Sequence, residues 1–208
     1  DTYNHEVDRW HRSGKPNNID DFVESDDTKI KWSSSLKSEI KRRNYVKWNK
    51  NNIRTSVYRP FAKQYVYFDS QLNHRQGQFP HIYPTEHSEL ENRVICIPGG
   101  GNRKEFGCII TKSIPALDLA FEKAQCFPFY VYDEDGSNRR ENITDWALKQ
   151  FRTHYQDDSI SKWDIFYYVY GLLHHPDYRE RYADNLKREL PRIPFVPSTP
   201  SPSPYPDS

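Results

Sequence analysis

The spacing of apolar positions changes about two-thirds of the way along the chain. Before residue 143 they come in short runs, RTSVYRPF, QYVYFD, RVICI, FGCIIT and CFPFYVY, rich in Val, Ile and aromatic residues and punctuated by Pro, Gly and Asn. Runs of this length and composition predict strands. The first two flank Pro60 and predict two strands around a turn; residues 93–97 and 106–111 predict two more, joined by the glycine-marked PGGGNRKE segment. One helix is expected among them, SSSLKSEIKRR at about 33–43, with a Ser cap, Leu36 and Ile40 one turn apart and basic residues in its last turn. After residue 143 the period becomes helical: an Asn cap followed by Trp146, Phe151 and Tyr155, an aromatic-rich stretch from Trp163 to Leu173 that stops at Pro176, and Tyr178, Tyr182 and Leu186 at i, i+4 and i+8 in a third helix over 177–190. Residues 1–28, broken by GKPNN, and 70–91, with Gly, Pro and His but no period, read as irregular. Together these predict an α+β domain, with a mixed, largely antiparallel twisted sheet in the first two-thirds and a C-terminal helical appendage. The expected parts are an acidic lead-in from an upstream domain (1–28), a strand-rich part (29–142), a helical bracing part (143–195) and a Pro/Ser-rich disordered tail (196–208).

Composition changes this picture in three ways. Only 35% of residues are hydrophobic, but 15% are aromatic, and large rings bury enough area each to build a core. The net charge of +1 excludes a uniformly basic coat, yet residues 29–75 carry twelve Lys and Arg against Glu39 and Asp69, a local net of +10, while residues 1–28 stand at −5. Such a block fits a polyanion, or a solvated helix face with a strand edge. Cys96, Cys108 and Cys126 each sit among apolar neighbours and are expected as small core residues in a reducing cytoplasm. No apolar run is long enough to cross a bilayer. The absence of Met, position 1 included, implies a piece of a longer chain.

Three segments in order, NIRTSVYRPFAKQYVYFD at 52–69, VICIPGGGNRKEF at 94–106 and FYYVYGLLHHPDYRERYADNLKRELPRIPF at 166–195, resemble the C-terminal target-recognition region of Type ISP restriction–modification enzymes and related large DNA methylase–helicase proteins. The resemblance implies a module that recognises double-stranded DNA for a single polypeptide. That polypeptide would also carry a nuclease, an ATP-driven translocase, a coupler and an adenine-N6 methyltransferase, so that S-adenosylmethionine, ATP and Mg belong to the parent. The partners implied are duplex DNA and the methyltransferase and coupler of the same chain. The alternative is a structural coupler or docking domain with little base contact. No Asn-Pro-Pro-Tyr tetrapeptide, GxxxxGK[ST] loop or convincing Asp…Glu-x-Lys set is present, which fits a non-catalytic part with no catalytic residues of its own.

Function then rests on surface contacts. Arg54, Arg59, Lys63, Gln64, Asn73, Arg75 and Gln76 bring the residue types that read base edges to a hairpin and the loop after it. For Arg59 the competing reading is a packed corner, Tyr58-Arg59-Pro60-Phe61, with its guanidinium on an internal carboxylate. Lys41, Arg42 and Arg43 suit phosphates. The glycine run with Asn102, Arg103 and Lys104 suits either a DNA phosphate or a plain turn. The pair His174-His175 is expected to cap a helix end, the loop residues His74, His81 and His87 lack companion ligands, and no metal site is expected. The aromatic run Trp163, Phe166, Tyr167, Tyr168 and Tyr170 reads as core, or as an interface to another domain, ahead of a stacking platform.

Overall fold

The computed structural model describes residues 2–197 except 16, 17, 25, 27, 74, 75, 102–104, 118 and 120–122. The chain opens on helix α1 (Thr2–Arg12), followed by α2 (Ile19–Phe22) and α3 (Ser34–Lys41). Residues 1–28 were expected to be irregular, and α1 corrects that. Tyr3, Val7 and Trp10 stand at i, i+4 and i+7, and all three are buried against Ile19, Val23, Leu36 and Ile40. The eight acids of that segment hid a three-residue apolar stripe. Three of them answer the basic block directly: Glu24 and Asp26 pair with Lys29 at 2.7 and 3.7 Å, and Asp20 pairs with Lys37. Helix α3 begins as predicted, with the Ser33 hydroxyl accepting from the Leu36 amide at 3.2 Å.

Strands β1 (Ile53–Arg59) and β2 (Ala62–Tyr67) form an antiparallel hairpin. Within 70–91, read as a bare loop, lie α4 (Phe79–Ile82) and α5 (Glu86–Glu91); α5 starts at a Thr85/Ser88 capping box. Next come β3 (Val94–Ile97), β4 (Ile109–Thr111), β5 (Ile114–Pro115), β6 (Gln125–Pro128), β7 (Tyr130–Val131) and β8 (Arg140–Glu141). The expected single sheet is divided among the described residues into three small ones, β2-β1-β5, β4-β3-β6 and β7-β8. All pairings are antiparallel except β1 with β5, where Ser56 and Val57 meet Ile114 and Pro115 in parallel.

The last third is helical as predicted: α6 (Asp145–Tyr155), α7 (Lys162–His174), α8 (Pro176–Arg181) and α9 (Ala183–Arg188). The cap of α6 is Thr144, whose hydroxyl accepts from the Ala147 amide, in place of the expected Asn142. Asn142 instead donates to the Pro128 carbonyl at 3.1 Å. The third predicted helix is split at Tyr182 into α8 and α9. The aromatic run is mostly core: Trp163 stacks on Phe129 at 3.6 Å between centroids, and Phe166 meets Phe129 edge-on at 5.5 Å. Residues 191–196 close the block, tied by Tyr178 to the Arg192 carbonyl at 2.7 Å and by Tyr168 to the Pro194 carbonyl at 2.6 Å. Of the tail expected to be disordered, residues 198–208 lie outside the described residues, while Val196 still donates its amide to the Tyr168 hydroxyl.

Candidate nucleic-acid interface

Two features carry exposed basic residues. The first is a strap, residues 44–50, held to α1 by side chain to main chain bonds. Asn4 donates to the Val46 carbonyl at 2.8 Å and accepts from the Val46 amide at 2.9 Å, and Tyr3 donates to the Asn44 carbonyl at 3.1 Å. Tyr45 adds a bond to Asp8 at 2.7 Å. The strap thereby fixes Lys47, Trp48 and Lys50, all exposed, beside the end of α3 where Lys41, Arg42 and Arg43 are exposed too. Trp48 is 70% exposed although one ring face stacks on Tyr67 at 5.1 Å. Arg42 engages Glu39 at 2.9 Å, and Arg43 has φ 64°, the left-handed position that ends many helices.

The second feature is the end of the β1–β2 hairpin. All eight residues from 58 to 65 are exposed. β1 is flanked by β5 only at Ser56 and Val57, and β2 is an edge strand, so beyond Val57 the ribbon leaves the body. Arg59 pairs with Ala62 across the two-residue loop Pro60-Phe61, and Tyr58 is the extra residue of a bulge between Val57 and Arg59. Proline fixes a negative φ at the first loop position and Phe61 has φ 68° at the second, which together define a type II turn. Glycine is the usual occupant there; a bulky L-residue in left-handed backbone costs roughly 1–2 kcal/mol. Phe61 is nevertheless 95% exposed, and Tyr65 84%. The corner reading of Tyr58–Phe61 does not hold: these residues are the tip of a projecting ribbon, with the Arg59 guanidinium 4.9 Å from the Tyr58 ring.

A buried carboxylate partner is found for Arg54. Arg54 is buried at the foot of β1, where its Nε donates to Glu89 of α5 at 2.6 Å and its guanidinium also reaches the Tyr83 carbonyl at 3.3 Å. Burial pushes the Glu89 carboxyl above its ordinary value, with Arg54 pulling the other way. Arg54 is therefore corrected from the exposed set to the anchor of the hairpin. Lys63 and Gln64 remain on the exposed ribbon. Asn73 is half-buried and serves its own loop, accepting from the Asp69 amide at 2.7 Å and from Gln76 at 3.3 Å. Arg75, Asn102, Arg103 and Lys104 lie outside the described residues. Of the glycines before them, Gly99 and Gly100 are packing positions and Gly101 takes a left-handed φ of 77°. A Cβ on Gly99 would meet the Lys123 carbonyl at 2.7 Å, one on Gly100 the Arg188 carbonyl at 3.1 Å, and the Gly101 amide already donates to the Lys187 carbonyl. These contacts favour the turn reading over the phosphate cradle, since that amide is taken up by α9.

Other candidates are structural. Among the described residues no group of three or more His, Cys, Asp or Glu is placed to hold a metal ion, and no helix is long and apolar enough to cross a membrane. His74 lies outside the described residues. His81 and His87 sit near Glu134 and Glu91, at 3.7 and 3.1 Å. His175 ends α7, its amide donating to the Leu172 carbonyl. Cys96 and Cys108 are buried and Cys126 half-buried; burial pushes the Cys108 thiol up to about 12, far from thiolate chemistry at neutral pH. Sequence reasoning missed the exposed rings Phe61, Tyr65 and Trp48, because an aromatic side chain in a strand pattern is assigned to a core by default.

An α+β body bearing an exposed ribbon with basic and aromatic residues at its end suits a recognition module. The chain matches the Type ISP C-terminal specificity domain over residues 1–200 and belongs to that family. Among solved structures it is similar to a chain of the DrdV–DNA complex, at 42% identity over 95% of this chain and 18% of that one, with a TM-score of 0.79. It is also similar to a nuclease-deletion mutant of the Type ISP restriction–modification enzyme LlaGI in complex with a DNA substrate mimic (33% identity, 94% and 17% of the two chains, TM-score 0.76). The ATP-dependent Type ISP enzyme LlaBIII bound to DNA matches at 28% identity over 92% and 12% of the chains, with a TM-score of 0.76. No curated protein matches. The chain spans less than a fifth of the length of each of these three polypeptides.

Proposed function

We propose that this domain recognises a specific sequence in double-stranded DNA and presents it to catalytic domains on the same polypeptide. The reading is carried by the ribbon at 58–65: a two-stranded β-ribbon fits the major groove, and this one brings Arg59, Lys63 and Gln64 to its exposed end. Lys41, Arg42, Arg43, Lys47 and Lys50 lie on the strap and helix end, where contacts to the sugar–phosphate backbone would fix register. Similarity to structures of DNA complexes supports it. The domain itself is non-catalytic on this reading. The parent is a cytoplasmic restriction–modification enzyme whose adenine methyltransferase, nuclease and translocase use S-adenosylmethionine, ATP and Mg. Methylome sequencing of a host expressing the parent tests it: one modified motif is expected, and substitutions at Lys63 or Gln64 should change or relax that motif. A motif indifferent to both would overturn the assignment of the ribbon.

A second reading, that the domain mainly couples other parts of the parent, draws on one observation. An apolar groove of about 440 Å³ opens between β6, α6 and α7, lined by Phe127, Ile143, Ala147 and Phe151, with Trp146 exposed nearby. Salt separates the two readings. DNA binding through cations releases counterions, so affinity measured by fluorescence anisotropy should fall steeply with ionic strength. Absent or salt-indifferent binding favours the coupler.

A further inference from the structure

We propose that Phe61 is a wedge whose ring inserts between stacked bases of the target duplex, unstacking one base step. The inference rests on the DNA-recognition reading and deepens it. Three independent observations carry it. Phe61 stands at the end of a ribbon with its ring almost wholly in solvent, so the ring contributes almost nothing to the protein's own core. It occupies, at φ 68°, the turn position where glycine is relaxed and a bulky residue is strained. A side chain that is both exposed and strained gives folding no reason to keep it, and strain of this kind collects where a partner is met. Its surroundings name the partner's chemistry. Pro60 stiffens the loop, Arg59 and Lys63 stand on the two strands next to the turn, and Tyr58 and Tyr65 are exposed just behind. Cations near a protruding flat ring suit phosphates around stacked bases, and apolar side chains driven into base steps are a known way to bend a duplex. An apolar pocket of a protein would be matched less well by a tip carrying two cations.

The test uses the full-length enzyme that carries this domain and a duplex containing its methylated motif, with 2-aminopurine placed at one position at a time. The expected result is a rise in fluorescence at one step distinct from the methylated adenine, lost in Phe61→Gly and Phe61→Ala and kept in Phe61→Trp. Affinity for the motif should fall about tenfold or more in the first two variants, because a lost aromatic–base stack removes affinity on that scale. The salt slope should not change, since no charge is removed. Phe61→Gly also guards against misfolding: glycine relaxes the turn, so this variant should melt at the same temperature or slightly higher. Specific binding with no unstacked step, or unstacking that survives Phe61→Gly, overturns the wedge and leaves target recognition standing. Loosened docking of this domain on its parent in Phe61→Gly, seen as new sites of limited proteolysis, with DNA fluorescence unchanged, would assign the ring to a protein partner instead. Failure of the unaltered enzyme to prefer any duplex would overturn the recognition reading itself.

Discussion

Arg54 and Arg59 stand five residues apart on one strand, and the molecule uses them in opposite ways. At the foot of the hairpin, Arg54 is enclosed by α5 and the turn at Tyr83, its charge matched by Glu89 and by a main-chain carbonyl. At the tip, Arg59 lies in solvent beside the Tyr58 ring. The foot holds the ribbon to the body through interactions that exist whether or not anything is bound. The tip is exposed throughout residues 58–65 and belongs to no core cluster. Residue type cannot separate the two, because both are arginines in a Val/Tyr-rich strand; neighbouring elements decide, and α5 reaches only the foot.

The contrast is broken most severely from below. Arg54→Ala should cost about 3–5 kcal/mol of stability in chemical denaturation, because it strands the Glu89 carboxylate in a buried site. Replacing both partners by apolar residues of similar volume should cost much less, which separates the burial penalty from the pair itself. Next comes the tip. Gln64→Ala should leave folding within about 0.5 kcal/mol of the parent yet weaken discrimination at one base pair by about 1–3 kcal/mol, read as a relaxed motif. Equal loss on every sequence would move Gln64 from base reading to backbone holding. Single alanines at Lys41 or Arg43 should weaken binding to all sequences alike and reduce the salt slope by about one unit each. Arg42, already engaged with Glu39, should give a smaller change than its neighbours.

The smallest effect is one of pH. Burial holds the Glu89 carboxyl above its ordinary 4.5, so as pH falls the folded protein takes up that proton before the unfolded chain does. Protonation relieves the cost of the buried charge and favours the folded state on the acid side. Loss of Arg54 removes the one group that pulls this value down, so the penalty of Arg54→Ala should be largest at neutral pH and shrink as pH falls toward and through the raised value. Stability differences from the parent at pH 7 and pH 5 check this; a penalty that grows on acidification would contradict the burial of Glu89.

How much of this was legible in the residues follows a physical line. Elements whose signal is local were readable: α3 from Ser33, Leu36 and Ile40, the hairpin from its Val/Tyr runs around Pro60, and α7 from its aromatic spacing. Helix α1 was equally readable from Tyr3, Val7 and Trp10 but was masked by acidic residues between them. What could not be read depends on distant contacts. Two-residue strand β5 exists only because β1 accepts it in parallel, and Asn92 is buried because the Ile82 and Tyr130 carbonyls converge on its amide. For the candidate site, the basic block pointed to residues 29–75. Its internal sorting, Arg54 inward, Lys37 neutralised by Asp20 and the tip outward, required the fold.

The exposed edge of β2 has a consequence for how such a domain changes over generations. Substitutions at residues 62–65 touch no core cluster and sit outside the Arg54–Glu89 anchor. Most should therefore be nearly neutral for folding, while each alters what the ribbon presents. A lineage carrying this domain can drift from one target word to another by single steps, every intermediate still folded, because retargeting and stability are written in separate residues of the same hairpin.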